Sequence, residues 1–440
     1  MDDLRGSDGG RERIRLDRGA SSQERCQRSP CCGERPIKVK GQVNLVAAAF
    51  ALTALSYGLA RFAYGLLLPH IREDLSLSAT WSGAIGGSAF AAYCLGIVFA
   101  FTLRARLGER HVAVLAGLTA TCGMAFIAAA SSGWTLGIAF ALAGLSSGLA
   151  SPPLAAAVAR CIDDAAQPKA NGAINAGTAA GIIFSGLVVM TSGRSWRELY
   201  VLFTMIGTAV TVWLWFAMPA ASRGGGAGGL SRAALRRPGV LGLCSSALLM
   251  GASSTAVWTF AANLMREELA FSDGQIALAW IALGTAGIAG AGTGLLTSRL
   301  GIGPVHRLAL STMAVALVTL TIAPVAPLMT FVAMSLFGLG YIVSSGALLL
   351  WGITLFQDRP DLGLGLPFLM TAVGQTAGAP LFGVILDTAG STAALLSFVA
   401  VAGSAALWTP STASPQTKMT ATAASQSSNR APRLGKASDA

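Results

Sequence analysis

Apolar runs of about 20 residues follow one another from residue 43 to residue 409, separated by short polar links. A run of that length crosses roughly 30 Å of hydrocarbon as a helix. The expected spans are 43–69, 81–103, 111–131, 134–158, 171–192, 199–219, 239–264, 276–297, 305–325, 328–355, 364–386 and 391–409, twelve in all. Only 12% of the 440 residues are charged, against about 25% in soluble domains, so the chain lacks the polar surface that water-facing domains need. Its 53 glycines suit close packing of helices in lipid. The fold class expected is an all-α membrane protein, with the lipid bilayer as its first partner. Residues 1–42 and 410–440 read as disordered cytoplasmic tails, and residues 1–40 have no apolar core of a secretory signal.

A net charge of +11 raises the question of nucleic acid. The basic residues answer it, because they lie in the tails and in short loops between apolar runs. The loops and tails on the N-terminal side of the membrane hold 26 of the 31 Lys and Arg, and the opposite loops hold Arg72, Arg194, Arg197 and Arg266. Without the tails the ratio is still 12 to 4. Positive loops stay inside, so both termini are expected in the cytoplasm, with the chain multi-pass in the plasma membrane and no role for nucleic acid. Seven scattered cysteines and three histidines make no zinc spacing. No metal or cofactor is called for, and no G-x-x-x-x-G-K loop offers a nucleotide site. A monomer is expected.

The two halves repeat. Arg72-Glu73-Asp74-Leu75-Ser76-Leu77-Ser78 follows the first span, and Arg266-Glu267-Glu268-Leu269-Ala270-Phe271-Ser272 follows the seventh. Leu103 to Gly108 after the second span is echoed by Leu296 to Gly301 after the eighth. Gly177, Gly181 and Gly186 in the fifth are echoed by Gly374, Gly378 and Gly383 in the eleventh. Three matches in order at a nearly constant offset indicate duplication. The molecule is therefore two six-helix bundles, 43–219 and 239–409, joined by a central cytoplasmic loop at 220–238. Parallel repeats of this kind place a substrate cavity between the halves at midplane.

Over residues 43–409 the chain resembles the major facilitator superfamily. The marker is that family's loop G-x-L-x-D-R-x-G-R-R, which stands here as Phe101-Thr102-Leu103-Arg104-Ala105-Arg106-Leu107-Gly108-Glu109-Arg110. Leu103, Arg106, Gly108 and Arg110 agree, whereas Phe101 and Ala105 replace the glycine and the acid. The second copy keeps Gly294, Leu296, Arg299 and Gly301 but has Ser298 for the acid. The resemblance implies gating loops at Arg106, Gly108, Arg110, Arg299 and Gly301, with the acid of a cytoplasmic charge latch missing from both. G-L-A-R-F-A-Y followed by L-L-P resembles a bacterial subgroup whose members are mostly unassigned transporters.

Arg61 is the one charge deep in an apolar run, and arginine in hydrocarbon is rare and needs a task. Tyr57, Arg61 and Tyr64 are spaced i, i+4, i+7 and would share a helix face. Either Arg61 binds an anionic group between two phenol rings, or it ties spans together through backbone carbonyls. Under the repeat, Arg61 maps to Thr255 and Tyr64 to Trp258, which would face the same cavity; Trp258 reads equally well as a packing or lipid-facing ring. Asn175, Gln375 and Tyr341 are candidate substrate contacts, with helix bridging as the other reading of the amides. Gly177, Gly181, Gly374 and Gly378 are expected to allow the close helix approach that rocking halves require. Pro152, Pro153, Pro367 and Pro380 are expected to bend their helices.

No Asp or Glu lies deep in a span, which weakens proton antiport through a protein carboxylate; a proton carried by a carboxylate-bearing substrate stays open. The chain thus reads as a secondary transporter moving a small organic solute, anionic or amphipathic, by alternating access. A broad-specificity multidrug exporter is the alternative. A membrane enzyme would need converging catalytic groups and a sensor an appended folded domain, and the sequence shows neither.

Overall fold

The computed structural model describes residues 39–219 and 236–410, and these residues are helical almost throughout. Ten helices are long and apolar enough to cross a membrane, and Asp273–Ile288 with Thr293–Leu300, bent by 53°, forms an eleventh. The last of the ten, Leu362–Ala405, has 44 residues, more than two membrane crossings require. Gly390, at φ 83° and ψ 174°, breaks it into two. The described residues therefore contain the twelve expected spans. The tails and most of the central loop lie outside them.

Span boundaries shift outward because polar loop residues cap and extend the helices. The first span runs through Val39–Thr53, a π-helical stretch Ala54–Phe62 and Ala63–Leu75. Arg61 is thus 14 residues from the helix end, roughly 21 Å at 1.5 Å per residue. That is deeper than a helix ending at Pro69 would place it. Span seven is also broken: Val240–Trp258 and Ala261–Leu269 are separated by Thr259 and Phe260. The prolines do not interrupt their helices, since Gly133–Cys161 continues through Pro152 and Pro153. A bend of 53° falls in the glycine-rich stretch at Ala289–Gly292.

The duplication is visible in the backbone. Ser76 (φ 51°) and Ala270 (φ 50°) are the two non-glycine residues with positive φ among those described, and they are repeat partners. Ser78 and Ser272, two positions later, each accept a hydrogen bond from the third residue of the helix they start. Gly108 (φ 81°) and Gly301 (φ 86°) likewise make the same turn, with N–H groups on the Arg104 and Thr297 carbonyls at 2.9 Å.

The halves meet along span two (Ala79–Leu107) and span eleven (from Pro360), along span five (Gln167–Ser192) and span eight, and along spans one and seven. Gly177 and Gly181 press on Phe50 and Ala54 of span one, and Gly374 and Gly378 on Leu248 and Ala252 of span seven, so all four close contacts inside a half. Close approach between halves belongs to Gly65 on the Trp258 carbonyl, Gly83 on the Ala379 carbonyl and Gly383 on the Ala79 carbonyl.

Both described termini lie on one face, called here the terminal face. At the opposite, far face polar side chains tie the halves. Arg72 pairs with Glu267 at 2.8 Å and His70 with Asp273 at 2.9 Å. Asp387 accepts hydrogen bonds from the Ala79 and Thr80 N–H groups at 3.0 and 2.7 Å, capping span two from across the boundary. At the terminal face, Glu109 pairs with Arg160 at 3.0 Å and Arg237 with Asp358 at 2.5 and 2.6 Å, each pair within one half.

Candidate functional site

Arg61 sits on the π-helical stretch, where Ala63 N–H reaches back five residues to the Gly58 carbonyl. Such widened turns recur at functional sites because they redirect side chains. The redirection is concrete here. Arg61 is only 6% exposed, and its guanidinium donates to Gln375 Oε1 at 2.7 Å across the boundary between the halves. Four rings surround it, with the guanidinium carbon 4.5 Å from the Phe90 centroid, 4.6 Å from Tyr93, 5.0 Å from Phe62 and 5.7 Å from Tyr57. Arg61 Nε has no hydrogen-bond partner.

The Gln375 amide nitrogen donates to Ser254 Oγ at 3.2 Å and to the Tyr341 hydroxyl at 3.3 Å. Because Arg offers only donors, this network fixes which end of the amide faces Arg61. Tyr341 packs edge-on against Trp258 with centroids 5.1 Å apart, and Trp258 stacks on Phe62 at 4.1 Å. The indole Nε1 of Trp258 is buried with no partner. Beside the guanidinium lies a cavity of ≈ 10 Å³, lined among others by Arg61, Tyr64, Phe140 and Trp258, with room for about one water.

Of the eight residues expected to bind substrate, the structure gathers Tyr57, Arg61, Trp258, Tyr341 and Gln375 in one network. Tyr64 departs from it. Its hydroxyl donates to the Ser82 carbonyl at 2.8 Å and its ring packs on Phe140, because the π-helix rotates it away from the rings around Arg61. Tyr57 reaches span four through Ser151 Oγ at 2.9 Å. Thr255 bonds back to its own helix at the Ala252 carbonyl (2.8 Å), so its hydroxyl is occupied. Asn175 is exposed on span five, on the face that meets span eight one turn later at Ala179.

Ser254, Phe90 and Tyr93 are site neighbours that sequence reasoning misses. Tyr93 carries the one available signal: it sits mid-run, away from the interfaces where tyrosine is enriched. The gating-loop residues divide as well. Arg110 Nε donates to the Met218 carbonyl at 2.9 Å, while Arg106 and Arg299 are exposed. Tyr57 and Ser151, on the terminal side of Arg61, are partly or fully exposed, as are Tyr341 and Ser345, whereas Arg61, Gln375 and Trp258 are buried.

Two six-helix bundles with a polar cluster at their boundary, inside a membrane, define an integral membrane transporter rather than an enzyme. The family model of the Major Facilitator Superfamily matches residues 50–363. The chain belongs to that superfamily and is a secondary transporter. The nucleoside transporter NupG (D323A mutant) superposes with a TM-score of 0.70 at 12% identity, covering 82% of this chain and 98% of that one. A D-xylose–proton symporter gives 0.68 at 15% identity, covering 84% and 98%. A curated relative from Pseudomonas aeruginosa, the transcription regulatory protein OpdE, is 26% identical over 371 residues, 80% of this chain and 88% of its own.

Proposed function

We propose that this transporter carries a small organic anion, a carboxylate on an apolar body, by alternating access around Arg61. The observation that carries the reading is a guanidinium 6% exposed at the boundary of the halves, whose hydrogen bond goes to a neutral amide. A buried cation without a counter-charge is costly, and an acceptor-only carboxylate supplies both the charge and the lone pairs. The surrounding rings suit the apolar body. Arg61, Tyr57 and Tyr341 are its proposed contacts; Tyr64, Thr255 and Asn175 are assigned no direct contact in this state.

The rest of the reading follows the charges. Residues 43–219 and 239–409 are the two moving bundles, linked by 220–238, and both termini face the cytoplasm of the plasma membrane. The far-face ion pair Arg72–Glu267 and the exposure of Tyr57 and Ser151 on the terminal side of Arg61 support the reading of a state open to the cytoplasm. No carboxylate sits in the middle of a described span, so a coupled proton would travel with the substrate. The protein acts as a monomer and binds no nucleic acid.

A thermal-stabilisation screen of an organic-anion library on the purified protein tests this, repeated with Arg61→Ala. Charge-assisted hydrogen bonds are worth about 1.5–3 kcal/mol, so Arg61→Ala should weaken the hits by roughly 10- to 100-fold, while Arg61→Lys keeps part of the effect. Anion binding indifferent to Arg61→Ala sinks the reading. The aromatic lining favours a second one, a broad-specificity exporter of amphipathic compounds, which predicts that indifference.

A further inference from the structure

Gln375 is buried at 1% exposure, and its carbonyl lies 2.7 Å from Arg61 Nη2. Its amide nitrogen is clamped by Ser254 and Tyr341, so the carbonyl is held toward the guanidinium. A side-chain carbonyl resembles one edge of a carboxylate in shape and acceptor geometry but brings no charge. A Glu at this place would pair with Arg61 permanently; the amide leaves the positive charge uncompensated. Arg61 Nε and Trp258 Nε1, the orphaned atoms beside it, are both donors. An acceptor-only group is what this surround lacks.

We propose that Gln375 is a placeholder, occupying in the empty transporter the seat beside Arg61 that the carboxylate of the substrate takes, and that binding expels it. This rests on the anion reading of Arg61 and extends it in two ways. Because Gln375 belongs to span eleven and Arg61 to span one, its expulsion removes a polar tie between the halves at midplane. Because the seat has a single cation, with no Lys or other Arg in the middle of the described spans, the substrate is a monocarboxylate rather than a dianion.

The test is acetate binding by the purified full chain, followed by thermal stabilisation with chloride as the ionic control. Gln375→Ala vacates a seat of about the size of acetate. Its apparent affinity for acetate should be at least tenfold tighter than that of the wild type. Gln375→Glu fills the seat with its own carboxylate and should bind no acetate, and the Arg61→Ala/Gln375→Ala double variant should bind none either. Equal acetate affinity in wild type and Gln375→Ala overturns the proposal, as does acetate binding that survives loss of Arg61. Gln375→Ser serves the same comparison should the alanine variant not fold. Anion binding that still requires Arg61 while acetate fails to distinguish these variants would remove the placeholder alone and leave the anion reading standing.

Discussion

Span one and span seven hold the same place in the two halves, alike in the turns that end them and different in their middles. Both end in the same Arg-Glu-acid turn, with positive φ at Ser76 and Ala270 and a serine cap at Ser78 and Ser272. In their middles the likeness fails. Span one widens into a π-helix that presents Arg61, whereas span seven keeps α-helix as far as Trp258, spends its Thr255 hydroxyl on its own backbone and then breaks. One copy supplies the charge; the other supplies Ser254 and Trp258 as its setting. Duplication accounts for the scaffold, and the proposed binding charge sits where the copies differ.

Making span one more like span seven should break that arrangement most severely. Arg61→Thr installs the residue of the equivalent position; it should reduce organic-anion uptake in proteoliposomes by roughly 10- to 100-fold, the worth of a charge-assisted hydrogen bond. The protein should still fold, since Gln375 keeps its bonds to Ser254 and Tyr341. Unchanged uptake would mean that the asymmetry does not serve transport.

The next effect concerns the closeness of the two spans. A Cβ on Gly65 would strike the Trp258 carbonyl, whereas one on Gly172 meets nothing within 4 Å. Gly65→Ala should therefore destabilise the protein by about 1–3 kcal/mol, read as a lower melting temperature in detergent, with Gly172→Ala as the silent control.

Where the repeated turns meet, Arg72 and Glu267 form a pair whose side chains are 17% and 50% exposed. Pairs so open to solvent are worth about 0–1 kcal/mol. A double-mutant cycle on thermal stability should return a coupling in that range, and a much larger one would make the far-face seal a fixed joint rather than one that opens in transport.

The smallest effect is a difference at the start of span seven. Arg237 there grips Asp358 bidentately and its hydrogen bonds hold the carboxyl down to about 2, from an ordinary value of 3.8. A depressed carboxyl contributes stability that is present above its unfolded value and lost as pH falls toward the folded one. The melting-temperature difference between wild type and Asp358→Asn should be flat from neutral pH down to about 4 and vanish toward about 2, and added salt should shrink it.

The sequence reveals the spans because lipid imposes length and polarity on every helix, and it reveals the repeat because turns constrain residue identity. Arg61 stands out by the cost of its charge. What surrounds it does not. The spacing of Tyr57, Arg61 and Tyr64 presumes 3.6 residues per turn, and the π-helix cancels that for Tyr64. Phe90 and Tyr93 look like any membrane aromatics until the fold turns span two toward span one. Gln375 meets Arg61 across 314 positions, and in lipid-soluble helices no polarity pattern marks which face will meet which. For the same reason Gly177 and Gly374 announce close packing without saying that it lies inside each half.

The central claim, that Arg61 recognises a carboxylate, is tested most directly by matched pairs of ligands. Each carboxylate that stabilises the purified protein is compared with its amide, which keeps shape and loses charge, in wild type and in Arg61→Gln. The account predicts a carboxylate preference of about tenfold or more in the wild type, collapsing to about one in the variant. A preference of the same size in both proteins would contradict it.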